Sequence, residues 1–274
     1  MSSPLDQSPL GKPTNHLGHY DRALLYAVPR APQRAALGIS GTLPFAGADL
    51  WTAYELSWLD RRGKPDIAVG MFRVPAESAN IVESKSAKLY LNSFSETRFD
   101  TPAEVERVLR EDLSRVCGGP IAVELAAPYA LQRLQAEELT GESIDDLELA
   151  IDEYSPAPDL LSAIGPTVDE ALRSDLFKSN CPVTGQPDWG NVQIRYRGPQ
   201  IDRAGLLRYL VSFRQHRGFH EHCVERMFVE IMSRCRPEQL TVYARFLRRG
   251  GLDINPFRSN WEAVPSANVR TLRQ

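Results

Sequence analysis

The amino-acid sequence predicts an α+β protein in which helices pack on one face of antiparallel sheets. Two observations carry this prediction. In the second half of the chain, two consecutive helical patterns lie between strand patterns, unlike the strand–helix alternation of a doubly wound parallel sheet. In the first half, strand patterns come first, and one helix and a further strand follow them.

The first half opens with about 20 polar residues containing scattered proline and glycine, for which we predict irregular structure. Residues 51–74 predict strands around a turn at 62–65, Arg-Gly-Lys-Pro. Thr101 and Glu104 form a capping box before apolar residues at helical spacing, and glycines end that helix. Residues 121–125 predict another strand.

In the second half, apolar residues alternate with polar ones over 192–197, as in a half-buried strand. Asp202 is placed to cap a helix, and Gly218 separates that helix from a second one. Residues 240–246 alternate again as a strand, and a further strand can follow at each end of this half.

The composition excludes several classes of protein. The chain of 274 residues is 42% hydrophobic and 24% charged, which is typical of a globular protein. A net charge of -3 argues against a protein that coats nucleic acid. No apolar run approaches the ~18 residues of a membrane span, and we see no secretory signal. Four cysteines do not make a disulfide framework at this length, so we predict a reducing cytoplasm.

An acidic segment of the chain is followed by a basic one. Residues 134–172 contain eleven Asp or Glu and no Lys or Arg, which predicts an exposed connection between two modules, 1–155 and 156–274. Residues 173–274 carry seventeen Lys or Arg against nine Asp or Glu, a surplus of eight.

Cys181 is the strongest candidate for chemistry. It lies in a loop rich in Pro and Gly, where a cysteine serves packing less often than on an apolar helix face. Lys178 could favour its thiolate, and turn residues could bring Asp188 back towards it. The other cysteines, at 117, 223 and 235, follow apolar helical patterns and are predicted to be core residues.

Two further segments are dense in polar groups. His216, His220, His222 and Cys223 resemble a metal site, but Gly218 interrupts their helical spacing and no Cys-x2-Cys partner exists, so a surface cluster is favoured over zinc. In residues 83–90, Ser and Lys could hold phosphate, and a carboxylate could bind a purine-like edge. The Gly-rich motifs of dinucleotide domains and P-loops do not occur.

Four motifs in order resemble one family. Residues 83–90, 178–189, 219–226 and 248–256 look like the motifs of the 7-cyano-7-deazaguanine reductases, which are NADPH-dependent nitrile reductases of queuosine synthesis, a tRNA modification. The resemblance runs from about residue 12 to residue 274 and is poorest in 134–172. It implies the long, two-module form of the tunnelling fold, which is related to GTP cyclohydrolase I.

The resemblance also implies roles for individual residues. The Cys181 thiolate would add to the nitrile as a covalent thioimide, Asp188 would donate the proton, and His220 would assist near the substrate. The remaining positions bind ligands: Glu83 and Glu221, with the backbone of Val82 and Ser84, would bind the deazaguanine, and Ser84, Lys85, Arg249 and Gly250 would contact NADPH. Two NADPH would serve each turnover, and the basic surplus would serve NADPH rather than nucleic acid.

Two alternatives stay open from the sequence. One is a zinc-dependent hydrolase similar to GTP cyclohydrolase, with metal at His220, His222 and Cys223. The other is a non-catalytic purine-binding protein, against which the presence of Cys181 and Asp188 argues. The family resemblance implies no metal, a small-molecule partner and a homodimer.

Overall fold

A computed structural model describes residues 19–127, 136–265 and 270–274. The strands are β1 (Ala27–Pro29), β2 (Ala46–Leu59), β3 (Pro65–Pro75), β4 (Asn80–Val82), β5 (Ala122–Ala126), β6 (Glu142–Ser143), β7 (Ala163–Ser174), β8 (Lys178–Asn180), β9 (Pro187–Ile201), β10 (Gln239–Phe246) and β11 (Leu252–Ser259). The helices are α1 (Ala31–Ala36), α2 (Ser84–Asn92), α3 (Pro102–Cys117), α4 (Arg203–Ser212) and α5 (His220–Cys235), with 3-10 turns at Arg22–Leu24, Pro158–Leu160 and Phe213–Gln215.

The α+β class with antiparallel sheets is confirmed. The pairs β3–β5, β7–β9, β9–β10 and β10–β11 are antiparallel, and the short β6 pairs parallel with β7. The predicted irregular start lies largely outside the described residues. No helix of the described ranges is long and apolar enough to cross a membrane.

The chain forms two compact units. The first unit contains the described residues of 1–32 and 49–135 together with Arg248–Ile254, and the second contains Gln33–Ala48, Ala136–Leu247 and Asn255–Gln274. The two units interleave along the chain because β2 and β11 each contribute residues to both. Because each unit contains segments from both halves of the chain, the predicted division at residue 155 stays a prediction.

In the first unit, strands follow the order β5-β3-β2-β11, and α2 and α3 pack on them. The buried cluster includes Trp51, Trp58 and Phe72 of the strands with Tyr90 and Leu109 of the helices. The predicted cap at Thr101 is confirmed, because its hydroxyl accepts from the Glu104 N–H. The reciprocal bond differs from a capping box, since the Glu104 carboxylate accepts from the Asp100 N–H rather than from the Thr101 N–H. Gly118 ends the helix at φ 69°.

In the second unit, strands follow the order β11-β10-β9-β7-β6, and β8 pairs with β9. Asp202 caps α4 through its Ala204 and Gly205 N–H groups, as predicted. Between α4 and α5 the chain makes a 3-10 turn and a short extended segment. Apolar side chains of both helices and of β9 and β10 are almost fully buried in its core, among them Leu206, Val224, Met227, Ile194 and Val242.

The prediction that residues 134–172 form only an exposed connection is wrong. This acidic segment contains β6 and most of β7, and β7 pairs with β9. Its carboxylates meet the arginines that follow in the chain, through the ion pairs Glu138–Arg173 at 2.7 Å, Glu170–Arg203 at 2.9 Å and Glu142–Arg203. Part of the basic surplus therefore balances the acidic segment and is not reserved for a cofactor. A count of charges along the sequence cannot distinguish a solvated tether from a strand whose carboxylates face arginines.

Candidate active site

The Cys181 loop closes a β-hairpin between β8 and β9. Ser179 pairs with Asp188 in the strand register. The Cys181 N–H donates to the Gln186 carbonyl at 2.8 Å, so the pairing continues by one residue, and the Gly185 N–H returns to the Cys181 carbonyl at 3.0 Å. Gly185 adopts φ 68°, a left-handed conformation that suits glycine in this tight loop.

This register places Cys181 and Asp188 on the same face of the hairpin. Side chains alternate along a strand, so Cys181 shares the side of Ser179, and Ser179 stands opposite Asp188. Diagonal neighbours of this kind lie ~7–8 Å apart, with room between them for a small reacting group. Both side chains are nearly buried, Cys181 at 8% and Asp188 at 5% exposure.

The hairpin is tied to the segment that leads into α5. The Asn180 N–H donates to the His216 carbonyl at 2.8 Å, and the Gly218 N–H donates to the Asn180 carbonyl at 3.1 Å. The Asn180 amide also donates to the Arg214 carbonyl at 3.0 Å. These bonds fix the position of Cys181 relative to the first turn of α5.

Lys178 is part of this anchor. Its ammonium donates to Asn180 Oδ1 at 2.6 Å and to the Arg214 carbonyl at 2.8 Å. Burial, and secondly the neighbouring Arg214 charge, lower the pKa of Lys178. The prediction that Lys178 favours the Cys181 thiolate stays a prediction, and no hydrogen bond among the described residues joins the two side chains.

The first turn of α5 supplies two more candidate residues. His220 Nε2 lies 3.6 Å from Asp188 Oδ2, and the imidazole stacks on the Phe246 ring with centroids 3.8 Å apart. Glu221 is 2% exposed and stands at the N-terminal end of the helix, where the helix dipole favours a negative charge. The hydrogen bonds between the hairpin and the segment before α5 thus bring the first turn of this helix next to Asp188.

Cys223 adjoins the same group. Burial raises the pKa of Cys223 to about 12, and the Asp188 and Glu221 charges add to the rise. Cys223 therefore stays a neutral thiol at physiological pH, as expected of a core cysteine. Within the described ranges, no group of three or more His, Cys, Asp or Glu side chains is placed to hold a metal ion.

In the first unit, the segment 83–90 forms the start of helix α2. Glu83 is fully buried and is the N-cap of this helix, accepting from the Lys85 N–H at 2.8 Å and the Ser86 N–H at 2.9 Å. A capping role for Glu83 was not predicted. A carboxylate followed by a helical pattern is the signal that could have indicated it.

A cavity of ≈ 350 Å³ lies against the exposed face of α2. Lys85, Lys88, Leu89 and Asn92 recur at helical spacing along one wall, and Gly250 and Gly251 form part of another. Side chains of the walls also include Ala53, Glu55, Leu56, Leu91 and Leu252. Lys85 and Gly250 are among the positions predicted to contact a cofactor, whereas Lys88, Asn92 and Gly251 were not among them.

Glycine is required at positions 250 and 251 of the cavity wall. Gly250 adopts φ 58°, and a Cβ there would lie 3.3 Å from Lys88 Cδ. Gly251 adopts φ 71°, and a Cβ there would lie 2.6 Å from the Glu55 carboxyl group. Any larger residue would displace side chains that line the cavity. The predicted positions Ser84 and Arg249 adjoin lining residues in sequence.

The predicted residues thus fall into two groups. Cys181, Asp188, His220 and Glu221 belong to the second unit, and Val82, Glu83, Ser84, Lys85, Arg249 and Gly250 belong to the first. Phe246, which stacks on His220, was not predicted as a site residue. Its alternation in β10 marks it only as a core position.

Comparisons with known proteins identify relatives of the chain. A family model described as "Nitrile reductase, 7-cyano-7-deazaguanine-reductase N-term" matches residues 16–125, and one described as "QueF-like protein" matches residues 187–264. A protein of Burkholderia vietnamiensis named NADPH-dependent 7-cyano-7-deazaguanine reductase is 58% identical over 98% of this chain and 99% of its own. Proteins of the same name from Burkholderia multivorans and Burkholderia cenocepacia are 57% and 56% identical with the same coverage.

The chain belongs to the 7-cyano-7-deazaguanine reductase family. The first family model includes Val82 to Lys85, and the second includes Asp188, His220, Glu221 and the Arg249–Gly250 pair. Cys181 lies between the two matched regions, but the full-length reductases align across nearly the whole chain. A solved structure titled as the archaeosine synthase QueF-Like in the apo form covers 36% of this chain and 99% of its own, with a TM-score of 0.31 and 16% identity. That likeness is too low to support a structural argument.

Proposed function

We propose that the protein is an oxidoreductase that reduces the nitrile of 7-cyano-7-deazaguanine to the aminomethyl group with NADPH, in the synthesis of queuosine for tRNA. The observation that carries this proposal is the shared face of Cys181 and Asp188 on one hairpin, with His220 next to Asp188. A nucleophile and a proton donor on opposite sides of a small gap are what addition to a nitrile needs. Membership of the reductase family supports the choice of substrate and cofactor.

Cys181 begins the reaction. Its thiolate sulfur forms a bond to the nitrile carbon while one π bond of the nitrile breaks, and the electron pair moves to nitrogen. Asp188 gives its proton to that nitrogen, so the product of this step is a neutral thioimide on Cys181. The low exposure of both side chains keeps bulk water from competing for the proton or for the carbon.

His220 would assist Asp188 in proton transfer, by orienting its carboxyl group during thioimide formation and by returning its proton afterwards. Its Nε2 lies 3.6 Å from Asp188 Oδ2, so a small movement makes a hydrogen bond between them. Asp188 would then be ready to protonate nitrogen in the second half of the reduction.

The first-unit cavity fits a cofactor that carries phosphates. Lys85 and Lys88 provide two ammonium groups on one wall, and Gly250 and Gly251 bring backbone close to the space without side chains. Lys85, Lys88 and Gly250, with the adjoining Ser84 and Arg249, would hold NADPH. When bound, the cofactor supplies hydride to carbon.

Glu221 would hold the deazaguanine by accepting hydrogen bonds from the edge of the ring. Glu221 is nearly buried, and its charge acts on Cys223 together with that of Asp188, which supports a base bound near the hairpin. We propose the same for Glu83 with the Val82 and Ser84 backbone, in addition to its capping of α2.

Replacing Glu221 by glutamine is expected to weaken binding of 7-cyano-7-deazaguanine and to leave NADPH binding unchanged. Glutamine keeps the size of the side chain but loses charge-assisted hydrogen bonds worth ~1.5–3 kcal/mol each. Calorimetry in a Cys181→Ala background measures the non-covalent affinity alone. An unchanged affinity for the base would remove Glu221 from the proposed site.

Glu83→Gln provides the comparison for that experiment. Because Glu83 caps α2 from a fully buried position, its loss is expected to lower stability by ~0.5–2 kcal/mol. The melting temperature of each variant therefore separates a lost helix cap from a lost contact with the base.

The reaction is expected to oxidise two NADPH for each amine formed. Reduction of a nitrile to a primary amine takes four electrons, and each hydride carries two. The loss of NADPH absorbance, measured against amine product by chromatography, gives the ratio. A ratio near one with accumulating aldehyde would mean that an imine escapes to water, and that the protein is not a complete nitrile reductase.

The same proposal includes a small-molecule substrate without direct nucleic-acid binding, a homodimer, and a cytoplasmic location. The four cysteines are free, which supports a reducing compartment. The homodimer rests on the family resemblance. The zinc-dependent hydrolase has no observation in its favour, since the relatives are named as reductases.

A further inference from the structure

The imidazole of His220 is held by a ring stack rather than by hydrogen bonds. Its Nε2 lies 3.6 Å from Asp188 Oδ2, longer than a hydrogen bond, and its buried Nδ1 has no hydrogen-bond partner among the residues that the structure describes. The ring lies parallel to Phe246, with an interplanar angle of 3° and centroids 3.8 Å apart. The Phe246 face therefore sets the plane of the imidazole.

The Phe246 ring is itself confined. Phe246 is the last residue of β10 and pairs with Gly190 of β9, where a Cβ would lie 3.3 Å from the Phe246 ring. Phe177 meets the same ring edge-on at 5.8 Å. The missing side chain at Gly190 makes room for the Phe246 ring, and Phe177 limits its movement.

The backbone of Phe246 is fixed by two side-chain amides. The Gln274 amide donates to the Phe246 carbonyl at 2.8 Å, and Asn255 Oδ1 accepts from the Phe246 N–H at 3.0 Å. The two amides also join each other at 2.9 Å, and Arg245 Nε donates to Gln274 Oε1 at 2.9 Å. Gln274 is only 4% exposed, and burying an amide is costly unless it is fully bonded, as it is here.

We propose that Phe246 is a positioning residue for His220, and that the Gln274 carboxamide keeps Phe246 in place. The inference rests on the proposed function, in which His220 orients the Asp188 carboxyl group during thioimide formation and then returns its proton. Phe246 touches no reacting atom in this scheme. It acts by holding the imidazole with Nε2 towards Asp188, and Gln274 acts one step further back.

The test is the rate of thioimide formation, followed by rapid quenching and intact mass without NADPH. Phe246→Leu keeps an apolar side chain but removes the flat face, and we expect the rate to fall by up to ~10²-fold. The affinity for the nitrile, measured in a Cys181→Ala background, should not change. Phe257→Leu is the matched control, because Phe257 is also fully buried in this unit and meets the Tyr243 ring edge-on rather than stacking on His220.

A double-mutant cycle separates positioning from a general loss of stability. In a His220→Ala background, Phe246→Leu should cause no further loss of rate, because the residue it positions is gone. If Phe246→Leu lowers the rate by the same factor with and without His220, the proposal is wrong.

Gln274→Ala provides a second variant if Phe246→Leu does not fold. It should slow thioimide formation in the same direction but by less, again only when His220 is present. In nuclear magnetic resonance, the His220 ring protons should be shifted upfield by the Phe246 ring, and Gln274→Ala should reduce that shift. A His220 resonance without an upfield shift in the wild-type protein would also overturn the proposal.

The outcomes distinguish this inference from the proposed function. If the wild-type protein binds the nitrile without a gain in mass, the covalent mechanism fails and the role of Phe246 fails with it. If the adduct forms and Phe246→Leu forms it at the wild-type rate, only the positioning role is wrong.

Discussion

Replacing Cys181 by alanine is expected to lower turnover by more than ~10⁴-fold, the largest effect of any single change in this protein. No other described cysteine combines a loop position with a neighbouring carboxylic acid on the same hairpin face. Cys223 cannot substitute, since burial raises its pKa to about 12 and it remains a thiol. Without the sulfur, the nitrile carbon has no nucleophile.

The measurement is an intact-mass spectrum after incubation with 7-cyano-7-deazaguanine and no NADPH. The wild-type protein should gain the mass of the whole nitrile, because addition expels nothing, and Cys181→Ala should gain none while still binding the base. Cys235→Ala is the matched control, since that cysteine is buried at the far end of α5 and should leave the adduct intact. An unmodified wild-type mass, with binding shown independently, would contradict the covalent mechanism.

Replacing Asp188 by asparagine is expected to lower turnover by ~10²- to 10⁴-fold, the usual range for a general acid. Asparagine keeps the shape of the side chain and its place opposite Ser179, but it has no carboxylic proton to give. Binding of the base should change little, because Asp188 faces the nitrile rather than the ring edge in the proposed site.

Single-turnover rates of thioimide formation measure this effect directly. Asp169→Asn in β7 of the same unit is the control, and should behave as wild type. Near-normal turnover of Asp188→Asn would move the proton donor to His220 or to water. Combining Asp188→Asn with His220→Ala decides between those two, since water would sustain the rate of the double variant.

Much of the local structure could be predicted because the relevant interactions are between near neighbours in sequence. The Thr101 cap, the Asp202 cap and the alternation in β9 and β10 depend on residues a few positions apart. The role of residues 83–90 was harder, since a polar segment between apolar ones fits a strand edge or a helix start equally well. The structure shows a helix start, because the Glu83 side chain accepts hydrogen bonds from the backbone N–H groups of Lys85 and Ser86.

The sequence by itself determined the α+β class and the family, and it singled out Cys181 and Asp188. These follow from motif identity and from periodicity, both of which are properties of the chain order. Only the tertiary structure decided how the acidic segment 134–172 pairs with distant arginines, and that Lys178 anchors the hairpin through Asn180. It also showed that the Phe246 ring stacks on His220. The physical reason is that ion pairs and ring stacks join residues far apart in sequence, and no local pattern records which partner a side chain meets.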